Sequence, residues 1–494
     1  MDNSKNMDKI NAIIGIPGVR LTLLVSLFCT LAFPKLGGYG LAVWDDAYYA
    51  SKAREIQRTG DWVTMHYDDR LMFDNPPGFM WLLALSYKIW GVNDYAAKFP
   101  SAVFGTLAII LVYLLAKRMR DEWYGFLTAA VLCLTQPFIR YSRRGMMDVD
   151  LTFFIVLALY AFWEAGQGRR KWLYVWGLSS GFAILLKSVL GLFALFIPIV
   201  WMLVAGKWDI LRRKELYLGL ALALVSSGWW FVAEYMKHGR AFVDMHFSWI
   251  IFRRSFVVSE GSGKWWEHLS YLKDLVKYYW PWLPISLWGL GALVVGFKRQ
   301  GKKDAGLLVL VWVASYLFIL SAMKARRLWY LMPAFPGLAM LAAHALYGWL
   351  SEEKRRLRVV RIMACAVPAA YAAVNFTPLK MDKHRTQDIR SLAPYVRYYS
   401  NSGYRIIAYR QDYFALNSGL IFYTGAAAKP FYAEEHELDA AISSGSPTVC
   451  IMDCGQFAAL SGGVRDKLRL VKQYDNAMML ANGAVLPDTL RIVP

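Results

Sequence analysis

The chain has 494 residues, of which 57% are hydrophobic and 19% charged, and its formal net charge at pH 7 is +20. A soluble protein of this length has about a quarter of its residues charged and divides into several domains. Here the apolar residues come in long blocks instead, and the Lys and Arg residues lie in short clusters between them. That distribution excludes a soluble globular protein and favours cytoplasmic loops over nucleic-acid binding.

The apolar blocks are long enough to cross a membrane, because a spanning helix needs about 20 residues. A further apolar stretch, 79–91, is shorter and carries Ser86 and Lys88, which favours a helix lying at the membrane surface. The sequence therefore predicts an all-α polytopic membrane protein. The predicted spans are 20–38, 99–117, 123–141, 147–166, 172–187, 189–205, 216–236, 280–297, 305–323, 329–350 and 360–377.

The basic clusters decide the predicted orientation. With the first residues in the cytoplasm and 79–91 left out of the count, every basic cluster falls on the cytoplasmic side. The opposite face then receives the long loop 39–98, the short loops around Asp148 and Lys187, and the loop 237–279. It also receives the turn 324–328 and the tail from about residue 378. Most of the acids that lack an obvious structural role lie on this outer face.

The tail, 379–494, has a different character, with Gly and Ser turns between short apolar runs. It is predicted to be a small extracytoplasmic α/β domain that follows a membrane domain at 1–378. A helix is predicted at Glu434–Ser443. The predicted strands are Tyr404–Tyr409, Leu420–Tyr423, Thr448–Met452 and Leu468–Tyr474.

Two adjacent acids, Asp45 and Asp46, follow the first predicted span. Carboxylates at a membrane surface are costly unless they are exposed, paired or functional. Like charge and partial burial would raise the pKa of one of them toward the range of a general base. A helical pattern begins at Asp46, so one of the pair could instead cap that helix. Both interpretations stay open at this point.

Several other outer-face residues stand out. Asp74 precedes a double proline and could be a helix cap, and Asp148 could serve the N-terminus of a span. Cations on this face oppose the usual charge bias, and an anionic lipid phosphate would explain them. These cations are Lys187, Lys324, Arg326 and Arg327.

An ordered series of short motifs runs along the chain. The series begins with Trp-Asp-Asp-Ala-Tyr-Tyr-Ala at 44–50 and Phe-Asp-Asn-Pro-Pro at 73–77. It continues through Asp148, Leu-Lys-Ser at 186–188, Trp-Pro-Trp-Leu-Pro at 280–284 and Tyr-Leu-Met-Pro at 330–333. This series resembles the GT-C glycosyltransferases, closest to the protein O-mannosyltransferases and the lipid A aminoarabinose transferases. The resemblance implies about 11–13 transmembrane helices with juxtamembrane helices on the outer face.

The resemblance also implies an activity. Such an enzyme takes a sugar from a polyprenyl-phosphate carrier and transfers it to a hydroxyl or phosphate acceptor on lipid A, an envelope glycan or a protein. The expected place is the bacterial inner membrane, with the active site facing the periplasm. Its partners would be the lipid-linked donor, the acceptor and membrane lipids, with no nucleic acid. An alternative is a polyprenyl-lipid or sugar transporter, a flippase that makes no bond.

By position in these motifs, Asp45 would be the general base, Asp46 its neighbouring acid, and Asp148 the acid of the second outer loop that helps to position the acceptor or the base. Lys187, Lys324 and Tyr330 would lie near the lipid phosphate, and by charge Arg327 and Arg254 (or Arg253) join them. Arg54, Asp74 and Tyr48 are expected to serve the acceptor or the structure. The aminoarabinose enzymes have Glu-Lys-Pro where this chain has Asp74-Asn75-Pro76. A phosphate-contacting lysine is therefore missing at residue 75.

No general acid is essential to this chemistry, because a sugar phosphodiester already has a good leaving group, and the resemblance implies no particular cofactor. A divalent metal held by Asp45, Asp46 and a histidine remains open. The candidate histidines are His66, His246 and His268, and their spacing forms no known ligand motif.

Overall fold

The structure is a computed structural model that describes residues 16–257, 269–300, 304–376 and 386–483. The part up to residue 257 is almost entirely helical. Its elements are α1 (Pro17–Ala32), α2 (Asp45–Thr59), β1 (Met65–Tyr67), β2 (Arg70–Met72), α3 (Gly78–Trp90), α4 (Asp94–Met119), α5 (Glu122–Cys133), α6 (Gln136–Ser142), α7 (Met147–Gly166), α8 (Trp172–Leu186), α9 (Ser188–Gly191), α10 (Phe193–Val204), the 3₁₀ segment Trp208–Arg212, α11 (Lys214–His238), α12 (Arg240–Phe242) and the π-helical segment Val243–Val257.

The rest of the described chain adds more helices and then a sheet. Its elements are α13 (Ser270–Tyr278), α14 (Trp282–Gln300), α15 (Asp304–Ala322), the 3₁₀ segment Leu328–Ala334, α16 (Phe335–Trp349), α17 (Glu353–Phe376), α18 (Thr386–Asn401), β3 (Arg405–Tyr409), α19 (Tyr413–Thr424), β4 (Phe431–Tyr432), α20 (Glu435–Ser443), β5 (Thr448–Asp453), α21 (Cys454–Ala458), α22 (Gly462–Arg465), β6 (Arg469–Tyr474) and β7 (Ala477–Ala481).

Contacts divide the chain into two compact units. The helical unit comprises Met1–Leu36, Met72–Phe79 and Lys98–Leu379. The mixed unit comprises Gly37–Leu71, Met80–Ala97 and Lys380–Pro494. Most of the long outer loop 39–98 is thus grouped with the tail. The division into domains at residue 378 stays a prediction.

Among the described residues, six helices are long and apolar enough to cross a membrane, and a bent pair, α13 with α14, would make seven. The six are α4, α7, α11, α15, the helix formed by the 3₁₀ segment at 328–334 with α16, and α17. Shorter apolar helices cover further predicted spans at α1, α8 and 188–204. The 13-residue α3 coincides with the predicted surface helix. The protein is a multi-pass membrane protein with the predicted all-α membrane architecture.

One predicted span, 123–141, is interrupted. Helix α5 ends at Cys133 and α6 begins at Gln136, with Leu134 and Thr135 between them. Pro137 lies in the first turn of α6, where a proline costs no hydrogen bond. The apolar composition hid this break, because hydrophobicity alone does not report backbone direction.

Close helix contacts in the helical unit depend on small residues, as is common in membranes. A Cβ built on Gly177 of α8 would lie 2.0 Å from the carbonyl oxygen of Gly219 of α11. Any side chain at residue 177 would therefore force these two helices apart.

The mixed unit contains a five-stranded sheet in the order β4-β3-β5-β7-β6. Strand β3 runs parallel to β4 and β5, and β7 runs antiparallel to β5 and β6. Helices α18 and α19 pack on one face through a buried cluster that includes Leu392, Val396, Leu420 and Val449. The small C-terminal α/β fold is confirmed.

Three of the four predicted strands are confirmed, as is the predicted helix. The fourth prediction, a strand at Leu420–Tyr423, is wrong because these residues lie inside α19. Asp412 caps the start of α19 by accepting from the backbone N–H of Ala415, and Gly425 ends it in the left-handed conformation. A four-residue apolar run does not distinguish a strand from a buried helical turn.

Candidate active site

The acid pair opens α2 in the mixed unit. The residue before the helix is Trp44, whose side chain makes no capping bond, so Asp45 and Asp46 occupy the first two helical positions. The Asp46 carboxylate is buried and accepts from the backbone N–H of Ala42 at 3.4 Å. Asp45 is only partly buried. The helix-cap alternative is wrong for this pair, and Asp45 is the acid of the two that solvent reaches.

Helix α2 is held against α19 of the tail by polar contacts. The Ser51 hydroxyl lies 2.9 Å from the carbonyl oxygen of Ser418. Arg54 donates to the carbonyl oxygens of Ile421 at 2.9 Å and Phe422 at 2.5 Å. These carbonyls belong to the last turn of α19, whose partial negative charge favours a cation, and that of Ile421 also accepts from the N–H of Gly425. The contacts give Arg54 a structural task, and any part in acceptor binding stays a prediction.

The helical unit brings three predicted residues together. The Lys187 ammonium lies 2.6 Å from Oδ1 of Asp148 and 4.4 Å from the centre of the Tyr330 ring. Asp148 lies in the first turn of α7, and Lys187 lies between α8 and α9, where the chain leaves the helical conformation. Both side chains are largely buried, at 1% and 14% exposure. A carboxylate, a cation and an aromatic face therefore meet at one point.

A histidine links the neighbouring segments. Nδ1 of the buried His246 lies 2.6 Å from the carbonyl oxygen of Phe73, and Nε2 lies 3.0 Å from the Ser188 hydroxyl. Because a carbonyl only accepts, Nδ1 carries the proton and Nε2 accepts from Ser188. Burial lowers the pKa of His246 below its ordinary value, while the bond to Phe73 and the charge of Asp74 oppose that shift.

This link between residues 73 and 188 could not be read from the sequence, where the three residues are far apart. Asp74 follows Phe73, and its carboxylate accepts from the side-chain amide of Asn75 at 2.7 Å. His246 thus connects the Asp74 segment to the residue after Lys187.

The other predicted phosphate ligands lie along two segments of the same unit. Lys324 donates from its ammonium to the carbonyl oxygen of Val257 at 3.1 Å and from its backbone to that of Ser255 at 2.8 Å. This ties it to the π-helical segment that carries Arg254. The Arg327 guanidinium lies 5.9 Å from the Trp329 ring centre, and its backbone N–H donates to the Tyr271 hydroxyl. Their roles as phosphate ligands stay predictions.

The metal hypothesis gains no support from the geometry. Across the described ranges, no group of three His, Cys, Asp or Glu side chains is arranged to hold a metal. His66 lies 3.3 Å from Asp61, and His268 lies outside the described residues.

Tyr48 lies in α2, the helix that the acid pair opens, and its ring faces the Lys52 ammonium at 4.1 Å.

Comparison with known proteins supports the resemblance found in the motifs. Residues 74–230 match the family model described as dolichyl-phosphate-mannose-protein mannosyltransferase. A Pseudomonas fluorescens protein named undecaprenyl phosphate-alpha-4-amino-4-deoxy-L-arabinose arabinosyl transferase 2 is 28% identical, over 68% of this chain and 61% of its own. The similarly named Erwinia tasmaniensis protein is 30% identical, over 66% and 59%. The chain thus spans about three fifths of these relatives' length.

Solved structures extend the likeness to the whole fold. ArnT from Cupriavidus metallidurans bound to undecaprenyl phosphate superposes with a TM-score of 0.75 at 18% identity, covering 94% of this chain and 98% of that one. The apo oligosaccharyltransferase of Archaeoglobus fulgidus gives a TM-score of 0.56 at 12% identity, covering 94% and 74%. The chain therefore has the GT-C fold and resembles the aminoarabinose transferase and protein O-mannosyltransferase group.

Proposed function

We propose that this protein is an integral membrane glycosyltransferase. It moves a sugar from a polyprenyl-phosphate carrier to a hydroxyl or phosphate acceptor, with inversion at the anomeric carbon. The observation that carries the proposal is the fold, which the chain shares over 94% of its length with a protein whose solved structure contains undecaprenyl phosphate. The names of the sequence relatives point to the same class of donor.

The chemistry needs one base and a cationic site. Asp45 takes the proton from the acceptor oxygen as that oxygen attacks the anomeric carbon. The bond from the sugar to the phosphate oxygen breaks, and the carrier leaves as an anionic lipid phosphate. Cations aimed at that phosphate stabilise the charge as it develops. In this proposal Lys187 supplies the first of them, with Lys324, Arg327 and Arg254 as further candidates.

The contacts of Lys187 fit this role. An ammonium has three N–H donors, and Asp148 accepts one of them at 2.6 Å. The Asp148 carboxylate and the Tyr330 ring keep the cation in place in a largely buried position. A lysine fixed in this way loses little side-chain entropy when an anionic ligand arrives. Asp148 is therefore a positioning residue for Lys187.

The proposed location is the inner membrane, with the reaction on the periplasmic face. The basic clusters at 117–120 and 169–171 lie at the opposite ends of α4 and α7 from Lys98 and Asp148. Under the positive-inside rule this arrangement supports a position of Asp148 and Lys187 away from the cytoplasm. Lipid A, an envelope glycan and a protein are the candidate acceptors.

A donor panel tests the proposal directly. Purified protein is given undecaprenyl phosphate carrying labelled aminoarabinose, the same lipid carrying labelled mannose, and each acceptor class in turn. Sugar transfer with release of bare undecaprenyl phosphate supports the proposal. Lipid movement across vesicle bilayers without any transfer product, with every donor, would favour the transporter. Mass spectrometry of envelope lipids and glycans from a deletion strain identifies the acceptor.

A further inference from the structure

Trp44, the residue before the candidate base, has an unusual backbone and an exposed ring. Its φ is 72° and ψ −122°, a conformation that bulky side chains rarely adopt. The flanking bonds hold it there: its carbonyl accepts from Tyr48 N–H at 2.8 Å, and Ala47 N–H donates to Ala42 at 3.2 Å. Strained backbone of this kind clusters at ligand-binding positions. The Trp44 side chain is nevertheless 49% exposed.

The tail supplies a second exposed ring against Trp44. Phe414 of α19 is 42% exposed and lies parallel to Trp44, with ring centres 6.3 Å apart and planes 23° apart. The Tyr48 ring meets Phe414 edge-on at 6.2 Å, and the Tyr67 ring stacks on it at 6.4 Å. All of these residues belong to the mixed unit.

Polar contacts fix Phe414 in this place. Asp412 caps α19 two residues before Phe414, and the hydroxyl of the adjacent Tyr413 donates to Asp68 at 2.5 Å. Lys429 also binds Asp68, at 2.6 Å. Asp68 and Asp69 both have positive φ and form the tight turn between β1 and β2. The start of α19 is therefore fastened to the β1–β2 turn, so Phe414 has little freedom to withdraw.

An aromatic surface of this kind selects its ligand by chemistry. The face of an aromatic ring is electron-rich, so it attracts the polarised C–H groups of a sugar ring and disfavours a phosphate. A carboxylate beside it can accept hydrogen bonds from sugar hydroxyls. Trp44 is bonded directly to Asp45, so the aromatic pair lies next to the candidate base along the chain.

We propose that Trp44 and Phe414 form a stacking surface that binds a sugar ring at Asp45, so that the C-terminal tail supplies a residue of the substrate site. The inference rests on the proposed function and deepens it. The sugar is either the one carried by the donor or one belonging to the acceptor. If the sugar belongs to the donor, the affinity for the sugar-bearing lipid depends on Phe414. If it belongs to the acceptor, the affinity for the acceptor sugar does.

The test uses the full-length protein and three ligands: bare undecaprenyl phosphate, the same lipid carrying aminoarabinose or mannose, and the lipid A disaccharide. Dissociation constants are measured for the wild type, Phe414→Leu and Phe414→Trp. Tyr474→Leu is the matched control, because Tyr474 is an aromatic of similar exposure, 39%, on β6 of the same unit. Thermal unfolding of each variant confirms that it is folded.

Phe414→Leu is expected to weaken binding of either the sugar-bearing lipid or the disaccharide by about 3- to 10-fold, the worth of one aromatic contact. Bare undecaprenyl phosphate should bind as in the wild type, Phe414→Trp should restore the sugar-dependent affinity, and Tyr474→Leu should change nothing. Unchanged affinity for both sugar ligands would overturn the inference. So would an equal loss for all three ligands, which indicates a membrane anchor.

Because these are binding measurements, they separate the two proposals. Absence of transfer in the wild type together with a sugar-specific loss in Phe414→Leu refutes the proposed reaction and keeps the binding surface. Transfer by the wild type together with wild-type sugar affinity in Phe414→Leu keeps the proposed reaction and refutes the binding surface.

Discussion

Helix α7 carries a buried acid near each end, and the two ends differ. Near its C-terminus, Glu164 is bound by Arg118 at 2.6 Å and Arg169 at 2.7 Å, and both arginines are about half exposed, at 40% and 52%. In its first turn, Asp148 is bound by the largely buried Lys187 at 2.6 Å. The helix has 20 residues, so its ends lie about 30 Å apart, close to the thickness of a bilayer's apolar core.

In the proposed function the Glu164 end of α7 anchors the helix, and the Asp148 end belongs to the phosphate site. The arginines around Glu164 come from the basic clusters that the positive-inside rule places in the cytoplasm, and they reach solvent. Lys187 opposes that rule, is buried, and lies against an aromatic ring. A buried ion pair seldom contributes net stability. Stability alone therefore does not explain the buried pair at the Asp148 end, whereas an anionic ligand would. The ion pairs at the Glu164 end are explained by the positive-inside rule alone.

The largest effect should come from breaking the pair at the Asp148 end. Lys187→Met is expected to lower kcat/KM for transfer by about 10²- to 10³-fold, because a cation facing developing charge is lost. Asp148→Asn should have a smaller effect if it acts through Lys187. The double variant should then be little worse than Lys187→Met alone. Additive losses in this cycle would mean that Asp148 touches the substrate independently.

The other end of α7 should affect stability and leave chemistry alone. Glu164→Gln is expected to lower the free energy of unfolding by about 1–2 kcal/mol. This is less than the 3–5 kcal/mol of a fully buried pair, because both arginines are partly screened by water. Thermal unfolding in detergent measures the loss, and kcat/KM per folded molecule should stay within about twofold. A catalytic defect at constant stability would remove the contrast between the two ends.

A contact within the mixed unit should give a loss of similar or smaller size. The Tyr423 hydroxyl donates to the buried Asp94 at 2.6 Å and accepts from Leu41 N–H at 3.0 Å. Arg390 lies 3.3 Å from the same carboxylate and remains to bind it. Tyr423→Phe should therefore cost about 1–2 kcal/mol, because two hydrogen bonds are lost and each has a net worth of about 1 kcal/mol. Chemical denaturation checks the value, and wild-type stability would show that the tail is held by other contacts.

The smallest effect should appear as a pH dependence. His246 titrates near pH 6.5 in the unfolded chain but only at lower pH when folded, because burial lowers its pKa. Below about pH 6.5 the unfolded state binds more protons, so stability falls as the pH falls and is constant above that value. The difference in melting temperature between the wild type and His246→Gln should therefore be smaller at pH 5.5 than at pH 7.5. A constant difference between them would exclude His246 as the titrating group.

The sequence was a good guide wherever one physical signal dominated. Long apolar blocks predicted the membrane helices, and the charge asymmetry singled out Lys187, which the structure finds in contact with Asp148 and Tyr330. The strand at Leu420–Tyr423 was wrong, because the caps at Asp412 and Gly425 decided the conformation of a short apolar run. The break at Leu134 was missed because apolar composition does not report the direction of the backbone.

Long-range contacts were beyond the reach of pattern reading. Nothing in the sequence indicated that Phe414 would stack on Trp44, about 370 residues earlier, or that His246 would join Phe73 to Ser188. The alternative that one of Asp45 and Asp46 caps the helix is wrong, because Trp44 occupies the N-cap position.

The most direct test of the account concerns Asp45. Single-turnover transfer and equilibrium donor binding are measured for Asp45→Asn, with Asp61→Asn, another acid of the same loop, as the control. The account predicts a loss of at least about 10²-fold in the transfer rate, since a general base contributes 10²- to 10⁴-fold. The dissociation constant of the donor should stay within about threefold. Transfer by Asp45→Asn at the wild-type rate would contradict the assignment of Asp45 as the base.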